Sequence, residues 1–315
     1  MAGSLRFMPV GLFGAVMGLA GLGLAWRAAA AILPVPALFA ELWICLALLA
    51  LAALMSCYAV KSVRHFSAVR EELTNPALLG FCATLPVGLT LAAAGVEPYS
   101  KVLAELLWWM GAPLLLSLQA WALVLLLSGR FRLAHVNGGL LIVFVGGIVM
   151  PFAGLPLGHA GLSTAMFCAS ATAAPFVMGA ILYRMIARPA LPEALRPSWF
   201  ILLVPPSLIY VNGDTLWPGQ GMPLELLHHL ALLMAAALLY AARGCRRWPF
   251  GAPWWAFTFP LDALAGAAVR YAGKHAGGPW TVLAGMLLLL ATAVVTAVLA
   301  RTLFALARGT LLKPV

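Results

Sequence analysis

Few side chains in this sequence are equipped for chemistry. Glu225 and His229 stand four residues apart and so share one face of a helix, with His228 beside them, and these are the donor types of a metal or haem ligand set. No further pair of ligands stands at a matching depth, and a solvated cluster at the end of an apolar stretch is the better reading of the three. Five cysteines (Cys45, Cys57, Cys82, Cys168 and Cys245) occur singly, mostly inside apolar runs and without metal-ligand spacing, and read as small core side chains. Asp262 is the oddest residue, an acid inside an apolar stretch, where an ionisable group is a functional candidate by default. One reading makes it a protonatable site that couples solute movement to protons. The plainer one makes it a neutral or hydrogen-bonded residue facing a neighbouring helix. Glu41 and Glu105 lie at the ends of apolar stretches, where water and headgroups solvate them. With no P-loop, GxSxG or HExxH, and no histidines paired across different apolar segments, a membrane enzyme or haem-bearing electron-transfer subunit rests on Glu225, His228 and His229 alone. No cofactor and no metal is expected.

The segments that must position these residues are built to dissolve in lipid. Of the 315 residues, 64% are apolar and 9% charged, whereas a soluble domain carries roughly 25% charged residues. Outer-membrane strands alternate apolar and polar residues, but the runs Leu46–Leu54, Leu114–Leu127 and Leu287–Leu299 are unbroken. The fold class expected is therefore an all-α polytopic membrane protein, with residues 1–315 as a single transmembrane domain. The opening stretch has one basic residue before a glycine-rich apolar run that continues to Trp26 without a clear small-residue cleavage site, and it reads as a retained first span.

Measured against the length needed to cross a bilayer, the apolar stretches give ten spans. They are Phe7–Trp26, Leu38–Val60, Leu78–Gly95, Val102–Ser128, Gly138–Ala153, Leu162–Ile186, Trp199–Val211, Leu224–Ala242, Trp254–Tyr271 and Trp280–Leu306. The net charge of +10 falls in short clusters between them, with no interleaved aromatic stripe, which is a topology signal and argues against a nucleic-acid partner. Arg6, Lys61, Arg64, Arg70, Arg130, Arg132, Arg184, Arg188, Arg196, Arg243, Arg246, Arg247, Arg301, Arg308 and Lys313 fall on the side of the termini. Only Arg27, Lys101, Arg270 and Lys274 fall on the other. Both termini are therefore expected in the cytoplasm, with the protein in the cytoplasmic membrane. Trp26, Trp43, Trp108, Trp109, Trp248, Trp254, Trp255 and Trp280 lie near span ends, as an aromatic belt would.

Every odd-numbered span carries proline in or at the edge of its apolar run: Pro9, Pro86, Pro151, the pair Pro205–Pro206, and Pro260. The first is dense in glycine (Gly11, Gly14, Gly18, Gly21, Gly23), and the fifth holds Gly146–Gly147. Even spans are mostly longer and richer in leucine and alanine, with Pro113 and Pro175 as exceptions. Proline frees a backbone carbonyl and kinks a helix, and lipid tolerates that only against protein or a water-lined cavity. Five helical hairpins follow, with odd helices as an inner ring and even helices outside.

Several motifs resemble one family. Met8-Pro9-Val10-Gly11-Leu12-Phe13-Gly14, followed by Gly18-Leu19, is similar to the first span of the tellurite-resistance/dicarboxylate transporter family. That family includes the bacterial tellurite-resistance protein, fungal malate permeases and sulfite exporters, and plant guard-cell slow anion channels. Trp254-Trp255-Ala256-Phe257-Thr258-Phe259-Pro260 resembles its aromatic segment bearing a gating phenylalanine. Pro205-Pro206-Ser207 and Ala104-Glu105-Leu106-Leu107-Trp108-Trp109 are similar too, and the likeness runs along essentially the whole chain in span order.

The resemblance implies a ten-helix protomer, usually trimeric, with its own central pore for small anions. Phe259 matches the gating position, although by residue type alone it reads as a helix-packing side chain, and Phe257, two residues away, points from another helix face. Phe13, Gly14, Pro86, Gly146, Gly147, Pro151, Pro205, Pro206 and Pro260 are the expected pore-lining or kink residues. No basic residue stands deep in an odd span, so anion selection would rest on positive helix ends and on the basic cytoplasmic rim. Asp262 departs from the family's pattern, which usually has an uncharged residue there; an ionised carboxylate beside an anion path would repel the substrate, which counts against simple chloride conduction. The substrate classes to consider are chloride, nitrate, sulfite, dicarboxylate and tellurite, carried by a channel or by a proton-coupled dicarboxylate or sulfite carrier using Asp262.

Overall fold

The computed structural model describes residues 5–275 and 277–312, so Lys313, counted above on the side of the termini, lies outside the described residues. Every regular element among them is helical, and the chain is a multi-pass helical membrane protein. In chain order the helices are α1 (Val10–Ala29), α2 (Leu38–Arg64), α3 (Pro76–Val96), α4 (Lys101–Leu127), α5 (Gly139–Gly154), α6 (Ala160–Ala187), α7 (Glu193–Leu216), α8 (Met222–Arg247), α9 (Ala252–Phe257 continuing as Thr258–Lys274) and α10 (Pro279–Ala307). Of these, 8 are long and apolar enough to cross a membrane; α5 and α9 are the remaining two. In α5 the helix is short and interrupted by a 3-10 turn at Gly146–Val149. In α9 the α-helical part has 17 residues and carries Asp262, Arg270 and Lys274.

Burial divides the helices into two sets. In the apolar windows of α1, α3 and α7, between 67% and 78% of residues are buried, against 22% to 33% for α2, α4, α6, α8 and α10. Nearly all of α5 and most of α9 is buried as well. The leucine-rich exteriors of the exposed set have no other apolar element over them and are suited to lipid. Consecutive helices pack together, α1 on α2, α3 on α4, α7 on α8 and α9 on α10.

The prolines act differently from the kinks expected of them. Pro86 and Pro260 are the third residues of α-helical stretches beginning at Thr84 and Thr258, Pro151 begins one, and Pro205–Pro206 follow Val204 at the start of another. A 3-10 turn or a break precedes each start. The first-turn N–H groups of a helix have no intrahelical acceptor, so proline there sacrifices no bond. Where a carbonyl is left over, a side chain takes it: the Asn212 amide donates to the Ile148 carbonyl at 2.6 Å, where proline at 151 offers no N–H.

Glycine sets how closely α1 and α9 approach. Gly14, Gly18 and Gly21 fall on one helix face, and a Cβ on each would stand 3.1 Å from Trp255 Cβ, 2.7 Å from Thr258 Cβ and 2.8 Å from Phe259 Cδ2 respectively. The start of α1 is held by Glu72, from the short helix Phe66–Thr74. One Glu72 oxygen accepts from the Val10 N–H at 3.0 Å and from Lys61 Nζ at 2.8 Å, and the other accepts from the Tyr58 hydroxyl at 2.8 Å. Lys61, expected as a rim charge, is thus buried because this carboxylate and the Met8 carbonyl satisfy it.

Candidate functional site

Two cavities lie between the buried helices. The first, of about 760 Å³, opens on the side of the termini, where Phe7 and Leu311 line it. Its deeper wall includes the α-helical starts Gly14, Thr84 and Val204, with Pro205, Phe259 and Pro260 in first turns, and Gly146 at the end of the stretch Gly139–Val145. Helix N-termini carry a partial positive charge, so the wall offers positive ends without a basic side chain. Among the described residues its one charged lining side chain, Glu72, is already engaged by Lys61, Val10 and Tyr58. The second cavity, of about 680 Å³, faces the opposite side and is lined by Gly21, Pro151, Asn212, Asp262, Gly266 and three cations, Arg27, Arg270 and Lys274.

Phe259 stands on the wall of both cavities. It is 5% exposed, in the first turn of the α-helical part of α9, with Gly21 behind it. An apolar ring between two spaces is the arrangement that makes ion passage costly by dewetting. Phe257 faces elsewhere, edge-on to Phe200 with ring centres 4.6 Å apart.

Of the other residues singled out, Gly14, Gly146, Pro205 and Pro260 line the first cavity and Pro151 the second. Phe13 does not reach either; it is fully buried, edge-on to Tyr58 with ring centres 5.8 Å apart. Pro86 turns its carbonyl towards Gly111 of α4, and Gly147 lies against the Met166 carbonyl of α6, so both serve contacts between helices. Pro206 is buried off both walls.

Asp262 lies one turn beyond Phe259 on the second cavity, 2% exposed, with neither carboxyl oxygen hydrogen-bonded to protein. It faces α1 at Gly21, where a Cβ would stand 3.1 Å from Asp262 Oδ2.

Glu225, His228 and His229 gather around Tyr271 as an aromatic and hydrogen-bonded cluster and not as a ligand set. His228 is buried and stacks on Tyr271 with ring centres 4.7 Å apart, while His229 is exposed and Glu225 contacts His275 at 3.2 Å. No group of three or more metal-ligating side chains is found among the described residues. Glu41 and Glu105, expected to be merely solvated, pair with Arg27 at 3.0 Å and His159 at 2.7 Å. Most tryptophans of the expected belt are packed inside, Trp108 and Trp255 almost completely.

Sequence reasoning missed the cations of the second cavity, treating them only as topology markers. Arg270 and Lys274 are one turn apart, so their shared face was legible. Their common partner Asp214, on another helix, was not.

Comparison with known proteins agrees with this architecture. The sequence pattern described as "Voltage-dependent anion channel" matches residues 8–303. Three relatives from Arabidopsis thaliana are similar along nearly the whole chain. S-type anion channel SLAH2 is 27% identical over 95% of this chain and 59% of its own length. S-type anion channel SLAH3 is 25% identical over 94% and 48%. Guard cell S-type anion channel SLAC1 is 25% identical over 95% and 56%. The chain spans about half the length of these relatives.

Proposed function

Because the chain belongs to the voltage-dependent anion channel family, we propose that it moves small anions across the cytoplasmic membrane, through a path in each protomer that Phe259 occludes. The observation that carries this reading is the position of Phe259 on the wall of both cavities. In this reading all ten helices cross the bilayer as five hairpins, with α1, α3, α5, α7 and α9 around the path. The burial contrast between the two sets, and the packing of each helix on its successor, support it. Both termini face the cytoplasm, and protomers assemble as a homotrimer, as the family resemblance implies. Chloride and nitrate are the first substrates to test, ahead of sulfite, dicarboxylates and tellurite.

The anion enters the first cavity against helix N-termini, a weak and partly solvated attraction. Each such end is worth about half a charge, which favours throughput over tight binding. At Phe259 the anion would lose water without compensation, so the ring must move aside. The test is anion flux into liposomes under imposed voltage, native protein against Phe259→Ala. A rise of tenfold or more in chloride or nitrate flux is expected. If both proteins stay silent to inorganic anions at every pH, the channel reading falls.

A second reading has its own observation, the unpartnered carboxyl of Asp262 on the cavity wall one turn from Phe259. It makes the protein a proton-coupled carrier in which Asp262 takes up and releases the proton. Asp262→Asn would then abolish the dependence of dicarboxylate or sulfite flux on the proton gradient. Flux that is independent of pH and untouched by Asp262→Asn rejects coupling.

A further inference from the structure

The second cavity has a charge arrangement that the first lacks. Arg270 Nε donates to Asp214 Oδ2 at 2.8 Å, Lys274 Nζ donates to the other oxygen of the same carboxylate, and Arg270 Nη2 reaches Thr215 Oγ1 at 3.3 Å. Across the cavity, Arg27 Nη2 donates to both oxygens of Glu41 at 3.0 Å and to the Gly95 carbonyl at 3.0 Å, Nε to Glu41 at 3.3 Å and Nη1 to the Ala94 carbonyl at 3.4 Å, so Arg27 adds chiefly its charge. Arg27, Arg270 and Lys274 line the cavity; Asp214 and Glu41 do not. These two acids therefore stand behind the cations, which face the space together with Asp262. Asp214 is 4% exposed, while the Arg270 and Lys274 side chains are 41% and 35% exposed. Among the described residues, Arg270 Nη1 has no protein acceptor. A guanidinium has five donors and an ammonium three, so both groups keep hydrogen-bonding capacity directed at the cavity.

We propose that this outer cavity holds a binding site for one monovalent anion on Arg270, Lys274 and Arg27, with Asp214 and Glu41 as built-in counter-ions that set its charge. With Asp262, the other carboxyl on this cavity, in its neutral form, three cations against Asp214 and Glu41 leave one positive charge in excess, which one monovalent anion neutralises. A dianion would be left with one negative charge uncompensated, and the buried Asp214 carboxylate would repel it more strongly than a monovalent anion. Asp214 is thus a specificity-determining residue: without it the two cations on α9 would present a doubly charged pair suited to sulfate or a dicarboxylate. Arg270 and Lys274 lie two and three turns beyond Asp262 on α9, so the site is an outer station before the Phe259 constriction. The inference rests on the anion-transport reading for its purpose, but not for its chemistry.

Chloride and sulfate binding to the purified protein in detergent, measured by calorimetry at low ionic strength, tests it without any transport. Native protein is expected to prefer chloride. Asp214→Asn should shift the ratio of sulfate to chloride affinity about tenfold or more towards sulfate, and Lys274→Gln should weaken chloride binding by a similar factor. Glu41→Gln removes the other counter-ion and should shift the ratio in the same sense, which decides the matter if Asp214→Asn fails to fold. An unchanged ratio in whichever acid variants fold, or chloride binding indifferent to both Lys274→Gln and Arg270→Gln, overturns the proposal. A Phe259→Ala protein that conducts while the binding ratio stays fixed leaves the transport reading standing and this one refuted. A shifted ratio with no conduction does the reverse.

Discussion

Phe259 can lie where it does because the residue behind it on α1 has no side chain. A methyl group at position 21 would press on the ring at 2.8 Å and on Asp262 Oδ2 at 3.1 Å. Overpacking of a filled interior costs about 1–3 kcal/mol, so Gly21→Ala should lower the midpoint of thermal unfolding followed by tryptophan fluorescence. Gly285→Ala in α10 is the control. Nothing stands within 4 Å of a Cβ there, and alanine is the better helix former by about 1 kcal/mol, so the midpoint should hold or rise. An equal loss in both variants would sink the argument. The glycine density of the first span was legible in the sequence; which glycine meets which aromatic residue was not, because that depends on the relative rotation and height of α1 and α9. Asp262 was likewise visible as an anomaly, but its lack of partners emerged only once every neighbouring helix was in place.

At the scale of elements, the alternation of proline separates the buried helices from the exposed ones, and its effect is to start helices rather than to bend them. The starts at Gly14, Thr84, Val204 and Thr258 border the first cavity, through Phe259 and Pro260 in the last case, which places the partial positive charge of helix N-termini there without burying a cation. The short helix Phe66–Thr74 fastens the beginning of α1 through Glu72, an acid to which the apolar pattern assigned no role. Lys61 and the Glu72 side chain are 1% and 11% exposed. Removing one partner of a buried pair costs about 3–5 kcal/mol, because the other charge is stranded. Glu72→Gln should therefore destabilise the protein by about that amount in denaturant or heat. Replacing Lys61 and Glu72 together by methionine and leucine should cost less than Glu72→Gln alone. A Glu72→Gln protein as stable as native would show that the pin carries no load.

For the whole molecule, the arrangement places the linker residue Ser100 on the side of the second cavity and Thr310 and Leu311, after α10, on the side of the first. In a variant lacking the five native cysteines, Ser100→Cys should react with a membrane-impermeant maleimide in intact cells, and Thr310→Cys only after permeabilisation. Labelling of both in intact cells would overturn the topology. The exposed faces of α2, α4, α6, α8 and α10 make up most of the apolar exterior, so lipid or other protomers must cover them. The mass of the detergent-solubilised particle measures the proposed trimer directly.

The sequence by itself determined that the chain is helical and lies in a membrane, because unbroken apolar runs with so few charges have no other solvent. It also separated buried helices from exposed ones, since proline and glycine in a membrane helix must be covered by protein while leucine and alanine need not be. Phe259 was singled out only through the resemblance of the segment 254–260, together with that of the first span, to a known family. The tertiary structure alone decided that Phe259 borders two cavities, that Phe13 and His228 are packing residues, and that Arg27, Arg270 and Lys274 face a common space. Those are relations between side chains far apart in sequence, and a local pattern records a residue's solvent but not its distant neighbours. Asp214 and Lys274 lie 60 residues apart, and only the packing of α7 on α9 makes them partners.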